Sequence, residues 1–166
     1  IIDTPGSDDF VGGVYSAFSV AENRILLVNA TQGVEVGTEI FARHAFEHKK
    51  PLIVAVNQLD SEKQDWQATI DSLKQAFGNK VVLVQYPVHP GASFDTFIDV
   101  LKMKMYKFKD ENGTRESFEI PEDQKEIAQI LHQQLVEMAA ENDENLMETF
   151  FDKGVLSEDE IRAGMK

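Results

Sequence analysis

Two short polar stretches of this sequence combine residue types that suit a bound nucleotide. DTPG, at residues 3–6, follows an apolar pair, and NQLD, at residues 57–60, follows the apolar run 52–56. An aspartate at the end of a strand can hold Mg²⁺ through water, and a glycine lets its backbone N–H approach a phosphate closely. Each stretch alone is an ordinary turn sequence. Together, in this order and separated by one strand-helix unit, they predict a site for a nucleotide and Mg²⁺.

The second stretch predicts which base is bound. The carboxylate of Asp60 can accept two N–H bonds, from N1 and the exocyclic amine of guanine, a pattern that adenine does not offer. The first stretch predicts a switch, because the loop after Gly6 would lose its anchor when the phosphate leaves. The helix expected from about Val11 to Asn23 could then reorient.

The surrounding pattern is that of an α/β protein. The apolar runs 24–30 and 51–57 are nearly continuous in branched residues, as in strands buried on both sheet faces. Helical periodicity predicts a helix over 38–48 and another from about 65 to 77, the second preceded by Ser61 and Gln64 at capping-box spacing. This alternation implies a parallel sheet with its ligands at the carboxyl ends of the strands.

The pattern changes after Gly78. A strand is predicted over 80–88, and shorter strands over 94–98, 103–109 and 114–120. A long helix from Pro121 to about residue 140 and two shorter helices follow. Strands followed by helices indicate an α+β unit. We therefore expect two parts, residues 1–80 and residues 81–166.

Charge and composition exclude several classes of protein. Residues 116–166 carry 14 acidic and 4 basic groups, which is most of the net charge of −13. Such a surface repels phosphates, so we expect no direct nucleic-acid binding by this third, and a solvated helical face is its simplest interpretation. The absence of cysteine excludes disulfides and thiolate metal sites. No apolar run reaches the roughly 18 residues of a membrane helix, and no leader is evident, so we expect a cytoplasmic protein.

The two polar stretches resemble the third and fourth sequence boxes of translational GTPases, and the whole chain is similar to elongation factor G. The matching segments are GVEVGTE, VVLVQYPV through MKMYKF, ENDENLMETFF and LSEDEIRAGMK. The resemblance implies a partial P-loop-type G domain over 1–80, from switch II to the guanine-specificity box. It implies that residues 81–166 are the G′ insert.

The family's functional residues carry over to matching positions of this chain. The resemblance implies GTP or GDP binding in the full-length protein, Mg²⁺ held through water, and a role in ribosomal translocation. It also implies that the helix over about 122–141 contacts the ribosomal stalk protein. The implied nucleotide-binding residues are Asp3, which also holds the metal, Thr4, Pro5, Gly6, Asn57, Gln58 and Asp60.

The chain departs from the family pattern at two of these boxes. Ser7 stands where the family has the histidine that positions the attacking water, and Gln58 stands where the guanine box has lysine. A serine hydroxyl is shorter than imidazole and does not carry its charge, so we expect slow or absent hydrolysis, as in a diverged paralogue. No Gly-x-x-x-x-Gly-Lys-Ser/Thr motif is present, so this stretch alone should bind no nucleotide or metal and should be inactive.

Other functions remain open on sequence alone. A metal-assisted hydrolase could use Asp3, Asp8 and Asp9. A non-catalytic module for the ribosome or its stalk could keep the nucleotide boxes as relics, and a ribosome recycling or protection factor would share the same boxes. His44 and His48 have the i, i+4 spacing of a metal pair, but no third ligand is evident and surface histidines are the better interpretation.

Overall fold

The first 78 residues form an α/β unit around two parallel strands. The computed structural model describes residues 1–6, 8–110 and 112–165, and only the backbone of Asp8. β1 and β2 pair in parallel from Arg24↔Leu52 to Asn29↔Asn57, which confirms the predicted fold class. The elements of this unit are a 3-10 turn at Asp8–Phe10, α1 (Val11–Val20), β1 (Arg24–Asn29), α2 (Val36–Glu47), β2 (Leu52–Asn57) and α3 (Trp66–Phe77).

The strands of this sheet are buried on one face only. In β1, Val28 is 2% exposed, whereas Ile25 and Leu27 are each 67% exposed. Ile53 of β2 is 59% exposed in the same way. Successive side chains alternate across a strand, so Ile25 and Leu27 lie on one face of the sheet and Val28 lies on the other. The prediction that both runs are buried on both faces is therefore wrong for the described residues.

The helix α3 begins where the sequence predicted, but a different residue caps it. Its N-cap is Asp65, whose carboxylate accepts a hydrogen bond from Ala68 N at 2.9 Å. The expected capping box of Ser61 and Gln64 does not form, because Ser61 Oγ accepts from Lys63 N instead. Aspartate at this position satisfies one of the unpaired N–H groups of the first turn.

The second unit, residues 79–166, joins an antiparallel sheet to three helices. Its strands follow one another in the order β3-β4-β5-β6, so each hairpin pairs sequence neighbours. Only the last four residues of the strand predicted over 80–88 pair in the sheet. The elements are a 3-10 turn at Gly78–Lys80, β3 (Gln85–Val88), β4 (Thr96–Asp99), β5 (Lys104–Phe108), β6 (Arg115–Phe118), α4 (Glu122–Glu141), α5 (Glu144–Lys153) and α6 (Glu158–Gly164).

The core of the second unit lies where α4 meets the sheet and α6. Ile98 and Leu135 are fully buried, and Ile161 is 1% exposed. Gly164 of α6 lies so close to the backbone of Ala139 in α4 that an added Cβ would be 2.9 Å from Ala139 Cα. The small residue therefore sets the approach of the two helices. None of the described helices is long and apolar enough to cross a membrane.

Helix α1 packs on α2 through aromatic rings. Tyr15 stacks on His44 with ring centroids 4.6 Å apart, and His44 stacks on His48 at 4.2 Å. His44 Nδ1 is buried and has no hydrogen-bond partner among the residues that the structure describes. His48 is exposed, as expected of a surface histidine, whereas His44 is half-buried in this ring stack.

The first unit should lose stability as the pH falls below about 6.5, which is the ordinary pKa of a histidine side chain. Burial, followed by the neighbouring charges of His48 and Arg24, lowers the pKa of His44, and Glu47 opposes this weakly. Because the folded state holds the proton less tightly than the unfolded state, the stabilisation is complete above pH 6.5. It is lost as the pH falls through the lowered pKa.

Urea unfolding between pH 8 and pH 5 measures this effect. His44→Phe keeps the ring stack without the titration and should flatten the pH dependence, whereas His89→Gln, in the other unit, should leave it unchanged. Equal pH slopes for the native chain and His44→Phe would contradict the assignment.

Candidate functional site

The NQLD stretch forms a tight turn at the carboxyl end of β2. Asn57 is the last residue of the strand, and Gln58 takes a left-handed backbone conformation with φ 60°. Ser61 N then donates to Gln58 O at 3.2 Å, which closes the turn around Asp60. Residues other than glycine seldom adopt this conformation, so the surrounding bonds must hold Gln58 in place.

The side chains of Asn57 and Asp60 are exposed to solvent. Neither makes a hydrogen bond or an ion pair with any residue that the structure describes. Asn29 lies opposite Asn57 at the end of β1, but its side chain is hydrogen-bonded within the chain. Its Oδ1 accepts from both the N–H and the hydroxyl of Thr31 at 2.9 Å. Of these paired asparagines, only Asn57 is available to a ligand.

The DTPG stretch lies outside the described sheet. Ile1 and Ile2 are exposed and belong to no strand, so Asp3 does not follow a strand of the described sheet. Asp3, Pro5 and Gly6 are exposed.

The environment of Gly6 leaves room for a ligand. A Cβ added to Gly6 would meet no atom of the described residues within 4 Å, and the φ of Gly6 lies outside the left-handed region. The fold of this chain therefore does not itself require a glycine at this position. Thr4, which is half-buried, is the least exposed residue of the stretch.

Two of the sequence-based hypotheses depend partly on residues outside the described set. Ser7, at the position of the family's catalytic histidine, lies outside it, as does the side chain of Asp8. Asp9 is exposed on the 3-10 turn before α1. Within the described residues, no group of three or more His, Asp or Glu side chains could share a metal ion. The metal-assisted hydrolase stays a hypothesis, because the side chain of Asp8 is not among the described ones.

Sequence reasoning missed the residues that hold the NQLD turn. Ala30, directly after β1, contacts both flanks of the turn through its own backbone. The hydroxyl of Thr69, in α3, donates to Ala30 O. Backbone contacts of alanine leave no mark in a sequence, and a threonine inside a helix has many uses. Only the distance of four residues from Asp65 to Thr69 hinted at a contact.

The residues present fit a guanine base and, less completely, a metal-bound phosphate. The unpaired amide of Asn57 and carboxylate of Asp60 offer the acceptors and donors that guanine requires. The open space at Gly6 and the exposed carboxylate of Asp3 suit a phosphate and water-bound Mg²⁺, respectively. This parallel unit, with free polar groups at the carboxyl end of β2, has the arrangement of a nucleotide-binding α/β domain.

Comparison with known proteins gives the family. The model of the elongation factor Tu GTP binding domain matches residues 1–153. An elongation factor G-like protein of Thermotoga maritima is 36% identical over all 166 residues, and the chain spans 23% of its length. A crystal structure from Thermus thermophilus superimposes with a TM-score of 0.83 at 30% identity, over 98% of this chain and 24% of that one.

The chain therefore belongs to the family of elongation factor Tu GTP-binding domains. Within that family it is a translational GTPase domain of the elongation factor G type. Members of this family bind GTP and GDP with Mg²⁺ as full-length proteins and act on the ribosome. The chain spans about a quarter of the relatives it matches, so the activity of the whole protein is a matter for proposal.

Proposed function

We propose that the NQLD turn is the guanine-recognition site of an elongation factor G-like protein that acts in ribosomal translocation in the cytoplasm. The observation that carries the proposal is the pair of free side chains, Asn57 and Asp60, on a turn whose backbone is held by the neighbouring strand. Free polar groups on a fixed backbone are prepared for a ligand, because little ordering is required when it binds.

Each residue has a distinct role in this proposal. The Asp60 carboxylate accepts the two guanine N–H groups, and Asn57 adds a hydrogen bond from the end of β2. Gln58 lays its stem along the base but lacks the charge of a lysine at this place, which weakens nucleotide binding without changing base preference. At the other stretch, Gly6 N–H binds the γ-phosphate, with Thr4 and Pro5 shaping the loop. Bound Mg²⁺, held by Asp3 through water, would neutralise phosphate charge.

Hydrolysis is proposed to be slow because Ser7 replaces a histidine. The hydroxyl cannot reach as far as an imidazole, and it does not ionise near neutral pH. The attacking water would lose its usual contact, while GTP binding would be retained.

Calorimetric titration of the full-length protein with GTP, GDP and ADP tests binding, and single-turnover hydrolysis on ribosomes tests the rate. Guanine-specific binding with slow hydrolysis is expected. Equal affinity for ADP would refute base recognition. A hydrolysis rate equal to that of an ordinary elongation factor G would refute the role of Ser7.

The acidic helix α4 supports a second candidate, a non-catalytic contact with the ribosomal stalk. α4 begins with Glu122 and Asp123 and exposes Ile127 (49%) and Ile130 (53%) on its surface. Apolar side chains among carboxylates suit a basic partner with an apolar centre. If the candidate is correct, reversal of the charges at Glu122 and Asp123 should weaken binding to the purified stalk protein. Unchanged binding would leave α4 as a solvated face.

A further inference from the structure

A single alanine backbone ties down both ends of the NQLD turn. Ala30 N–H donates to Asn57 O at 2.9 Å, and Ala30 O accepts from Asp65 N at 2.8 Å. Ala30 itself is 1% exposed, directly after β1. The segment 58–64, which contains Gln58 and Asp60, is therefore held at both ends by hydrogen bonds to the same residue, Ala30.

The hydroxyl of Thr69 reinforces this attachment from inside α3. Its Oγ1 lies 3.3 Å from Ala30 O and 2.8 Å from Asp65 O, and the side chain is 1% exposed. One hydroxyl proton serves both carbonyl groups, mainly the nearer one. Thr69 thus bridges the end of β1 and the residue at which the turn enters the helix.

We propose that Thr69 is a positioning residue for guanine recognition. It keeps Ala30 and Asp65 in the arrangement that fixes the turn carrying Asp60. This inference rests on the proposed function, because it concerns how that site is held. Thr69 does not itself contact the base.

The energetic reason is the absence of water. Thr69 is buried, so water cannot replace its hydroxyl as a donor to Ala30 O and Asp65 O. Without the hydroxyl, the turn samples other conformations, including ones that relax the left-handed φ of Gln58. Only the fraction of molecules with the correct turn binds the base fully, so the apparent affinity falls by that fraction.

Thr69→Val in the full-length protein tests the inference. Valine has nearly the same shape but no hydroxyl, and the loss of one buried hydrogen bond corresponds to about a fivefold weaker Kd for GDP. Affinity for inosine diphosphate, which lacks the exocyclic amine, should fall less. The Kd for inosine diphosphate divided by the Kd for GDP should therefore become smaller. Thr69→Ser restores the hydroxyl and should restore both the affinity and the ratio.

Ser72→Ala is the matched control on the same helix. Ser72 Oγ accepts from Val34 N at 3.2 Å and so ties α3 to the segment before α2, not to the NQLD turn. Its loss should leave the ratio of Kd values unchanged, even if the melting temperature falls. Should Thr69→Val fail to fold, Thr69→Ala provides the same comparison.

The outcomes separate the two claims. If the native protein shows no guanine-specific binding, the proposed function fails, and this inference fails with it. If the native protein binds GDP specifically but the valine variant keeps the same affinity and ratio, the inference alone is overturned. A lower melting temperature with an unchanged ratio would also overturn it, because Thr69 would then only stabilise the fold.

Discussion

Full-length protein carrying Asp60→Asn should bind GDP and GTP roughly 5- to 150-fold more weakly than the native protein, the range expected for loss of one bidentate base contact. The native carboxylate presents two acceptors to the N1–H and amine of guanine. An amide presents one acceptor and one NH₂ donor, so a donor would face a donor. Xanthine carries an oxygen in place of the amine, and the variant should therefore bind xanthosine diphosphate better than the native protein does.

Asp65→Asn is the matched control for this substitution. It makes the same chemical change at the far end of the same turn, where the side chain caps α3. Asparagine caps a helix about as well as aspartate, so the control should keep its affinity for GDP. Calorimetric titration with guanosine and xanthosine diphosphates measures the nucleotide affinities of both variants. Equal losses in the two variants would indicate a general effect of charge rather than base recognition.

Gly164→Ala should destabilise the second unit by about 1–3 kcal/mol or more, the usual cost of overpacking a closely packed contact. The added methyl group would lie 2.9 Å from both Cα and C of Ala139, closer than real Cβ atoms come to other atoms. These are backbone atoms of α4, so a side-chain rotation cannot relieve the clash. Asn142 Nδ2 also donates to Gly164 O at 3.0 Å, and a shift of α6 would break this bond.

Gly13→Ala provides the comparison. Gly13 lies inside α1, and a Cβ there would meet no described atom within 4 Å. Alanine is the better helix former, so this variant should be slightly more stable than the native chain. Thermal unfolding followed by circular dichroism measures both variants. A melting temperature for Gly164→Ala at or above the native value would contradict the close packing of α4 and α6.

The fold was predictable where it depends on side-chain patterns. Alternating apolar runs and amphipathic segments predicted β1, α2, β2 and α3 in the correct order, because periodicity reflects which side chains are buried. The same runs did not reveal that Ile25 and Leu27 would be exposed, since a continuous apolar strand does not specify what covers each face. The cap of α3 was missed because Ser61 and Asp65 both have capping chemistry, and only the course of the chain decides between them.

The candidate site was predictable only in part. Asn57 and Asp60 were identifiable because their side chains carry the proposed chemistry, and the structure leaves both free. Asp3 follows no strand of the described sheet, and the apolar pair before it does not reveal this, because strand pairing depends on neighbours in space. The roles of Ala30 and Thr69 could not be predicted, because they come from backbone carbonyl groups and burial rather than from a recognisable spacing.

The double attachment at Ala30 has a consequence for how this region can change over evolution. The bonds from Ala30 to Asn57 and Asp65 use main-chain atoms only. The side chains of the residues between Asn57 and Asp65 could therefore change without breaking these bonds. The number of residues is far less free, because seven residues, 58–64, span the two attachment points. A one-residue insertion or deletion there would move Asp60 away from the base. Constant loop length, rather than constant sequence, would be the signature of this attachment among related chains.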